Sequence, residues 1–115
     1  MQDRYAYRDL MTDVVIQHLG TDQRVRIKCR DYVRRISVYR SRVAVQLPDR
    51  IIIYDPDPSQ DADSMQYKST ARINKRLECS LLVVTSKHVT LCQEKKLLSY
   101  NFEGEKCATV QLVHI

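Results

Sequence analysis

The sequence predicts an all-β fold made of repeated four-stranded antiparallel units, and three observations carry that prediction. Two stretches match without a gap at a spacing of 46 residues: Ile36 to Asp55 (ISVYRSRVAVQLPDRIIIYD) and Leu82 to Asn101 (LVVTSKHVTLCQEKKLLSYN). The roles are kept even where identities are few, with Val43 falling on Val89, Val45 on Leu91, Ile51 on Leu97, Ile52 on Leu98 and Tyr54 on Tyr100. Each copy reads as strand, tight turn, strand, tight turn, strand, and closes on an aromatic residue followed by Asp or Asn. Beyond Arg24 the apolar residues repeat at the two-residue period of half-buried strands. A repeat of roughly 40–45 residues with four strands per unit is the mark of a WD-type propeller, whose blades end in an aromatic-Asp pair. The predicted fold class is therefore a partial WD40-type β-propeller of about two and a half four-stranded antiparallel blades, against roughly 4–8 in a closed ring. Residues 1–31 are expected to close one blade with its outer strands, 32–74 to form a full blade, and 75–115 to form a second. So few blades mark the chain as a piece of a larger protein or a truncated product.

The N-terminal segment is ambiguous. Tyr7, Leu10, Met11, Val14, Val15 and Leu19 fall at helical spacing, with Gly20 placed as a C-cap. The alternative is a turn at Asp9 followed by a strand from Thr12 to Leu19, rich in Val and Ile. Arg24 to Cys29 alternates charged and apolar residues as one strand. Tyr32 to Arg40 follows with Ile36 and Val38 on one face, and Ser41 turns the chain into Arg42 to Leu47, where Val43, Val45 and Leu47 share a face. Pro48-Asp49 is a turn pair, because proline presets φ and aspartate accepts local backbone hydrogen bonds. Arg50 to Asp55 is a short strand of β-branched residues suited to a pleated surface.

The run DPDPSQDADS, residues 55–64, cannot pair into a ladder and is expected to be an exposed loop. The spacing of Asp55, Asp57, Ser59 and Asp61 resembles a calcium loop, but the glycine for the sharp bend is missing and prolines intervene. A solvated acidic loop is the better account. Gln66 to Ile73 reads as a further strand. Glu78 to Thr85, His88 to Cys92 and Lys96 to Phe102 repeat the earlier three, and Thr109 to Ile115 begins a last one. The expected core is Ile36, Val38, Val43, Val45, Ile51 and Ile53 with Leu82, Val84, Val89, Leu91 and Leu97.

No catalytic, cofactor-binding or metal site emerges. The chain has only two glycines, Gly20 and Gly104, so it carries no phosphate-cradling loop, and neither GxSxG nor HExxH occurs. Cys29, Cys79, Cys92 and Cys107 are scattered, without the paired spacing of zinc ligands, and are read as reduced thiols in an intracellular β-sheet. His18, His88 and His114 stand singly on predicted strands. The N-terminus has no apolar h-region, so no signal peptide is expected, and no apolar run approaches the roughly 18 residues of a membrane span.

The net charge of +5 is uneven. Arg24, Arg26, Lys28, Arg30, Arg34, Arg35, Arg40 and Arg42 crowd one stretch, with Tyr32 and Tyr39 available for stacking. A small basic β-domain binding single-stranded nucleic acid is therefore an alternative. Against it, alternating Arg is the ordinary solvated face of a half-buried sheet, and Asp31 and Asp49 lie close by.

Three segments, RYAYRDLMTDVVIQHL, VRIKCRDYVRRISVYRSRVAVQLPDRIIIYD and ECSLLVVTSKHVTLCQEKKLLSYNFEG, carry a resemblance to the WD-repeat region of the intraflagellar transport protein 122 family, subunits of intraflagellar transport complex A. It runs nearly gapless from about Arg4 to Gly104, while EKCATVQLVHI beyond it follows the family pattern poorly. Members of that family are long chains of tandem propellers followed by helical repeats. The resemblance implies strands rather than a helix at the N-terminus. It also implies a non-enzymatic scaffold in cilium assembly, dynein-driven retrograde transport and ciliary delivery of membrane receptors. The partners it implies are the other complex A subunits, a tubby-like adaptor and receptors as cargo. The implied location is the cilium, basal body and cytoplasm, with no cofactor, no small-molecule substrate and no membrane insertion.

Overall fold

A computed structural model describes residues 4–59 and 66–112, and every regular element within them is a strand. Three antiparallel meanders follow one another. The first sheet holds β1 (Arg4–Asp9), β2 (Asp13–His18) and β3 (Arg24–Lys28). The second holds β4 (Arg35–Tyr39), β5 (Arg42–Gln46), β6 (Ile51–Pro56) and β7 (Tyr67–Ile73). The third holds β8 (Leu81–Val84), β9 (His88–Gln93), β10 (Lys96–Asn101) and β11 (Lys106–Gln111). Spatial order equals chain order in each sheet. The result is a partial propeller.

The middle sheet is covered on both faces. On one face Val43, Val45 and Ile52 pack with Val14 and Ile16 of the first sheet and with Cys29 and Val33 of the intervening connection. On the other, Ala44, Ile51, Ile53 and Ile73 pack with Leu82, Val84, Val89, Leu91, Leu98 and Tyr100 of the third. This explains why Val43 to Gln46 and Ile51 to Ile53 are buried without alternation. A sheet with a neighbour on each side has no wet face to mark with polar residues. Among the described residues the third sheet has one neighbour, and its inner strands alternate accordingly, as in the exposed-buried-exposed-buried pattern of Leu81 to Val84, while β11 is exposed throughout.

The 46-residue correspondence holds at the level of pairing. Ile36 lies opposite Val45 and Val45 opposite Ile52; their counterparts Leu82, Leu91 and Leu98 repeat both pairings. Val43 opposes Tyr54 as Val89 opposes Tyr100. Even the irregularity is repeated, with a bulge between Ile53 and Tyr54 in the β6–β7 ladder and another between Ser99 and Tyr100 in the β10–β11 ladder. A bulge sharpens local twist and re-aims the next side chain. Here it precedes the aromatic that enters the seam between sheets.

The N-terminal ambiguity resolves to strands, as the resemblance implies: three consecutive β-branched residues, Val14, Val15 and Ile16, form buried β2, and Gly20 lies in the β2–β3 turn rather than capping a helix. Other expectations are corrected. Strand β2 is central in its sheet, because Arg4 to Asp9, which the sequence did not mark as a strand, pairs beside it. That strand is masked in the sequence by its charge, with only Tyr5 and Tyr7 to mark its period. The last strand begins at Lys106 rather than Thr109, and residues 113–115, with His114, lie outside the described residues, as do Asp61 and Asp63. Of the expected core, Leu97 is only half-buried while Leu98 is buried, since Leu97 is on the face of the third sheet that has no neighbour among the described residues. Ile36 is half-buried, and Val38 is 38% exposed whereas its counterpart Val84 is 1% exposed.

Candidate interaction surface

The seam between the second and third sheets is closed by polar clasps at both ends. At one end Arg42 on β5 makes a paired contact with Asp55 on β6, Nε to Oδ1 at 2.9 Å and Nη2 to Oδ2 at 3.3 Å. Its Nη1 reaches across the seam to the backbone carbonyls of Thr85 (3.2 Å) and Ser86 (2.5 Å) in the β8–β9 turn. The guanidinium also lies over the Phe102 ring, 4.8 Å from its centroid. A planar five-donor group suits this work, since carboxylate, carbonyls and ring are engaged together. At the other end the buried Gln46 side chain donates to the Leu77 carbonyl at 2.6 Å and accepts from the Cys79 thiol at 3.3 Å. Beside it Arg35 donates to the Cys79 carbonyl at 3.0 Å. A shallow cleft lined by Arg34, Arg35, Glu78 and Cys79 opens at this end.

Two aromatics fill equivalent places. Tyr54 packs against the core between the first and second sheets, its hydroxyl 4.0 Å from the Cys29 thiol. Tyr100 is buried between the second and third, with the Lys75 ammonium 5.5 Å from its ring centroid. Burial pushes the Tyr54 phenol and the Cys29 and Cys79 thiols above their ordinary values. These thiols therefore stay protonated at neutral pH and are weak nucleophiles.

The flanks of the stack differ. On the first sheet, Tyr5 and Tyr7 stack with ring centroids 5.9 Å apart, and the Tyr5 hydroxyl donates to Gln17 at 2.7 Å. Arg26 bridges Asp9 at 2.6 Å and Asp13 at 2.8 Å, and these two carboxylates hold its guanidinium above its usual pKa. On the third sheet one cross-strand row runs Leu81, Cys92, Leu97, Val110 over all four strands. Leu81 and Val110 are 52% and 54% exposed. One flank is polar and internally satisfied; the other is an apolar stripe.

The basic stretch is not gathered into one face. Arg24, Arg26 and Lys28 project from β3 on the flank of the first sheet, and Arg34 pairs with Glu78 at 3.2 Å. Arg35 and Arg42 are committed to the seam, while Arg40 lies over the ring of Tyr39 at 5.4 Å. Arg30 is exposed in the β3–β4 connection, and exposed Tyr32 accepts from Arg8 at 3.0 Å. Asp57 is held by Ser59 hydroxyl and backbone donors, which lower its pKa. The His18 ring accepts from the backbone N–H groups of Gly20 and Thr21, and the backbone of His88 pairs with Asn101. Among the described residues no three His, Cys, Asp or Glu side chains come together as metal ligands. The clasps at Arg42 and Gln46 were not legible in the sequence, because their partners Thr85, Ser86, Leu77 and Cys79 are more than thirty residues away.

The family model described as the IFT122 second beta-propeller matches residues 1–112. The chain belongs to this family. It is 52% identical to the intraflagellar transport protein 122 homolog of Xenopus tropicalis over 105 residues, covering 91% of this chain and 9% of that protein. The Homo sapiens homolog is also 52% identical over 105 residues, covering 91% of this chain and 8% of its own length. The Danio rerio homolog is 55% identical over 101 residues, 88% of this chain and 8% of that protein. The chain thus spans less than a tenth of the relatives it matches, and the match crosses all three sheets of this second-propeller segment.

Proposed function

We propose that this chain is a non-enzymatic scaffold segment of an intraflagellar transport complex A subunit, which supports retrograde ciliary transport, cilium assembly and ciliary delivery of membrane receptors through protein-protein contacts. The observation that carries the reading is identity of about half over 91% of the chain to proteins whose name states intraflagellar transport. The physical character of the surface supports it. Arg42 and Gln46 hold the second sheet to the third, and the outer face of the third sheet carries an apolar stripe from Leu81 to Val110, material of contacts. The partners in this reading are the other complex A subunits, with a tubby-like adaptor and receptors reached through them, at the cilium, basal body and cytoplasm. Residues 1–31, 32–74 and 75–115 serve as successive blades, the first incomplete. The test is reconstitution: a chain spanning the whole second propeller, mixed with purified complex A subunits, is expected to co-elute with them on size exclusion. Separate elution at micromolar concentration would overturn the reading.

A further inference from the structure

Three segments meet at one end of the stack. The Val33 N–H donates to the Met11 carbonyl at 2.9 Å, the Arg34 N–H to the Gln46 carbonyl at 2.8 Å, and the Gln46 side chain to the Leu77 carbonyl at 2.6 Å. The β1–β2 turn, the β3–β4 connection and the β7–β8 connection are thereby joined into one surface. It caps the sheets at their ends rather than on their flanks, so a neighbouring blade extends it sideways without covering it.

The β1–β2 turn is strained for what it presents. Leu10 and Met11 both hold left-handed backbone, φ 54° and 66°, which glycine and asparagine adopt readily and longer side chains only against a steric cost. Yet they are 73% and 51% exposed and belong to neither core cluster. Backbone strain of this kind gathers at ligand-binding segments. Charge supplies a second observation. Arg30 and Arg76 lie 46 positions apart in equivalent connections, and both are exposed. Arg35 uses only its Nε on the seam, toward the Cys79 carbonyl. No carboxylate among the described residues pairs with any of these three. The acids of this end are already taken: Asp9 and Asp13 by Arg26, Asp31 and Asp49 by Arg50, Glu78 by Arg34. Among the described residues here, only Glu94 in the β9–β10 turn is left over.

We propose that this end of the stack is a docking face for an extended acidic segment of a partner protein, an aliphatic side chain resting on Leu10, Met11 and Tyr32 while carboxylates meet Arg30, Arg35 and Arg76. Guanidinium groups take carboxylates in paired hydrogen bonds, and three of them against one leftover acid set the sign of the partner. A nucleic acid strand fits less well, because it stacks its bases on aromatic rings. Here the exposed apolar side chains of the turn are aliphatic, and the ring of Tyr32 already has Arg8 over it at 5.2 Å. This inference rests on the protein-contact reading above and adds the place and chemistry of one contact.

The test uses a chain spanning the whole second propeller and a phage-displayed library of random peptides of about twelve residues, long enough when extended to cross two sheets. Selected peptides should be enriched in Asp and Glu beside an aliphatic residue. They should bind roughly tenfold or more weakly to a variant combining Arg30→Glu, Arg35→Glu and Arg76→Glu. A second variant, Leu10→Asn with Met11→Gly, should also bind more weakly, while its melting temperature holds or rises because the turn is relieved of strain. A lower melting temperature would assign both residues to folding and overturn the inference. Selection without acidic enrichment, or displacement of the peptides by oligothymidylate of the same length, would overturn it too. If no peptide is selected while complex A subunits still co-elute, the docking face falls and the scaffold reading stands; acidic peptides held by a propeller that captures no subunit would do the reverse.

Discussion

Arg42 shows how one side chain can hold two sheets in register. It engages Asp55 and two carbonyls at once, and hydrogen bonds to charged groups contribute roughly 1.5–3 kcal/mol each where solvent is restricted. In a chain spanning the whole propeller, Arg42→Ala should lower stability by about 2 kcal/mol, read as a shift in urea midpoint. Arg34→Ala, which removes an exposed pair with Glu78, should cost less than about 1 kcal/mol. Equal shifts would show that the clasp contributes no more than a surface ion pair. Val45 is fully buried, and Val45→Asp, which strands a charge in the core, should prevent folding outright. A soluble, cooperatively melting Val45→Asp protein would contradict the packing. The buried phenol and thiol give a pH signature as well. Tyr54 and Cys29 have folded pKa values raised above ordinary values of 10.0 and 9.0. The unfolded chain therefore loses these protons first, and the stability they contribute is full below pH 9 and falls as pH rises beyond it. The melting temperature should decline on the alkaline side, less steeply in Tyr54→Phe; an identical decline would remove Tyr54 from the cause.

The repeated hairpins are the elements that the sequence makes most legible. Alternation placed β3, β5, β6, β9 and β10 to within a residue or two, and the 46-residue offset matched pairing and bulge as well as residue type. What stayed hidden was whatever depends on the number of neighbours a sheet has. Leu97 and Ile51 are equivalent by sequence, but Ile51 is buried by the third sheet and Leu97 faces outward. Val38 and Val84 differ for the same reason. β1 escaped because three of its six residues are charged, and its identity as a strand comes from pairing with β2. The seam clasps were illegible because Arg42 contacts a turn 43 residues away, beyond any local pattern. Turn chemistry adds a prediction at this scale. Gly104 holds φ at +89° in the β10–β11 connection, where an added Cβ would meet only ordinary contacts, Ile73 at 3.7 Å and Lys75 at 3.8 Å. Gly104→Ala should thus cost about 1–2 kcal/mol through backbone strain alone, seen as a lower melting temperature with unchanged circular dichroism. An unshifted melting temperature would mean the turn relaxes freely.

The molecule as a whole is a stack with unlike ends. The first sheet ends in a polar flank with an open β1 edge, and the third in an apolar stripe from Leu81 to Val110. Apolar area left wet forfeits roughly 25 cal/mol per Å², and an open edge invites strand pairing between copies. Both liabilities vanish where further blades cover them. The most direct measurement is light scattering behind size exclusion on the 115-residue chain and on a chain spanning the whole propeller, purified alike. The structure predicts that the short chain elutes as aggregates or is lost to inclusion bodies, while the long one is monodisperse. A monomeric short chain with a cooperative thermal transition would contradict it and show a self-contained fold.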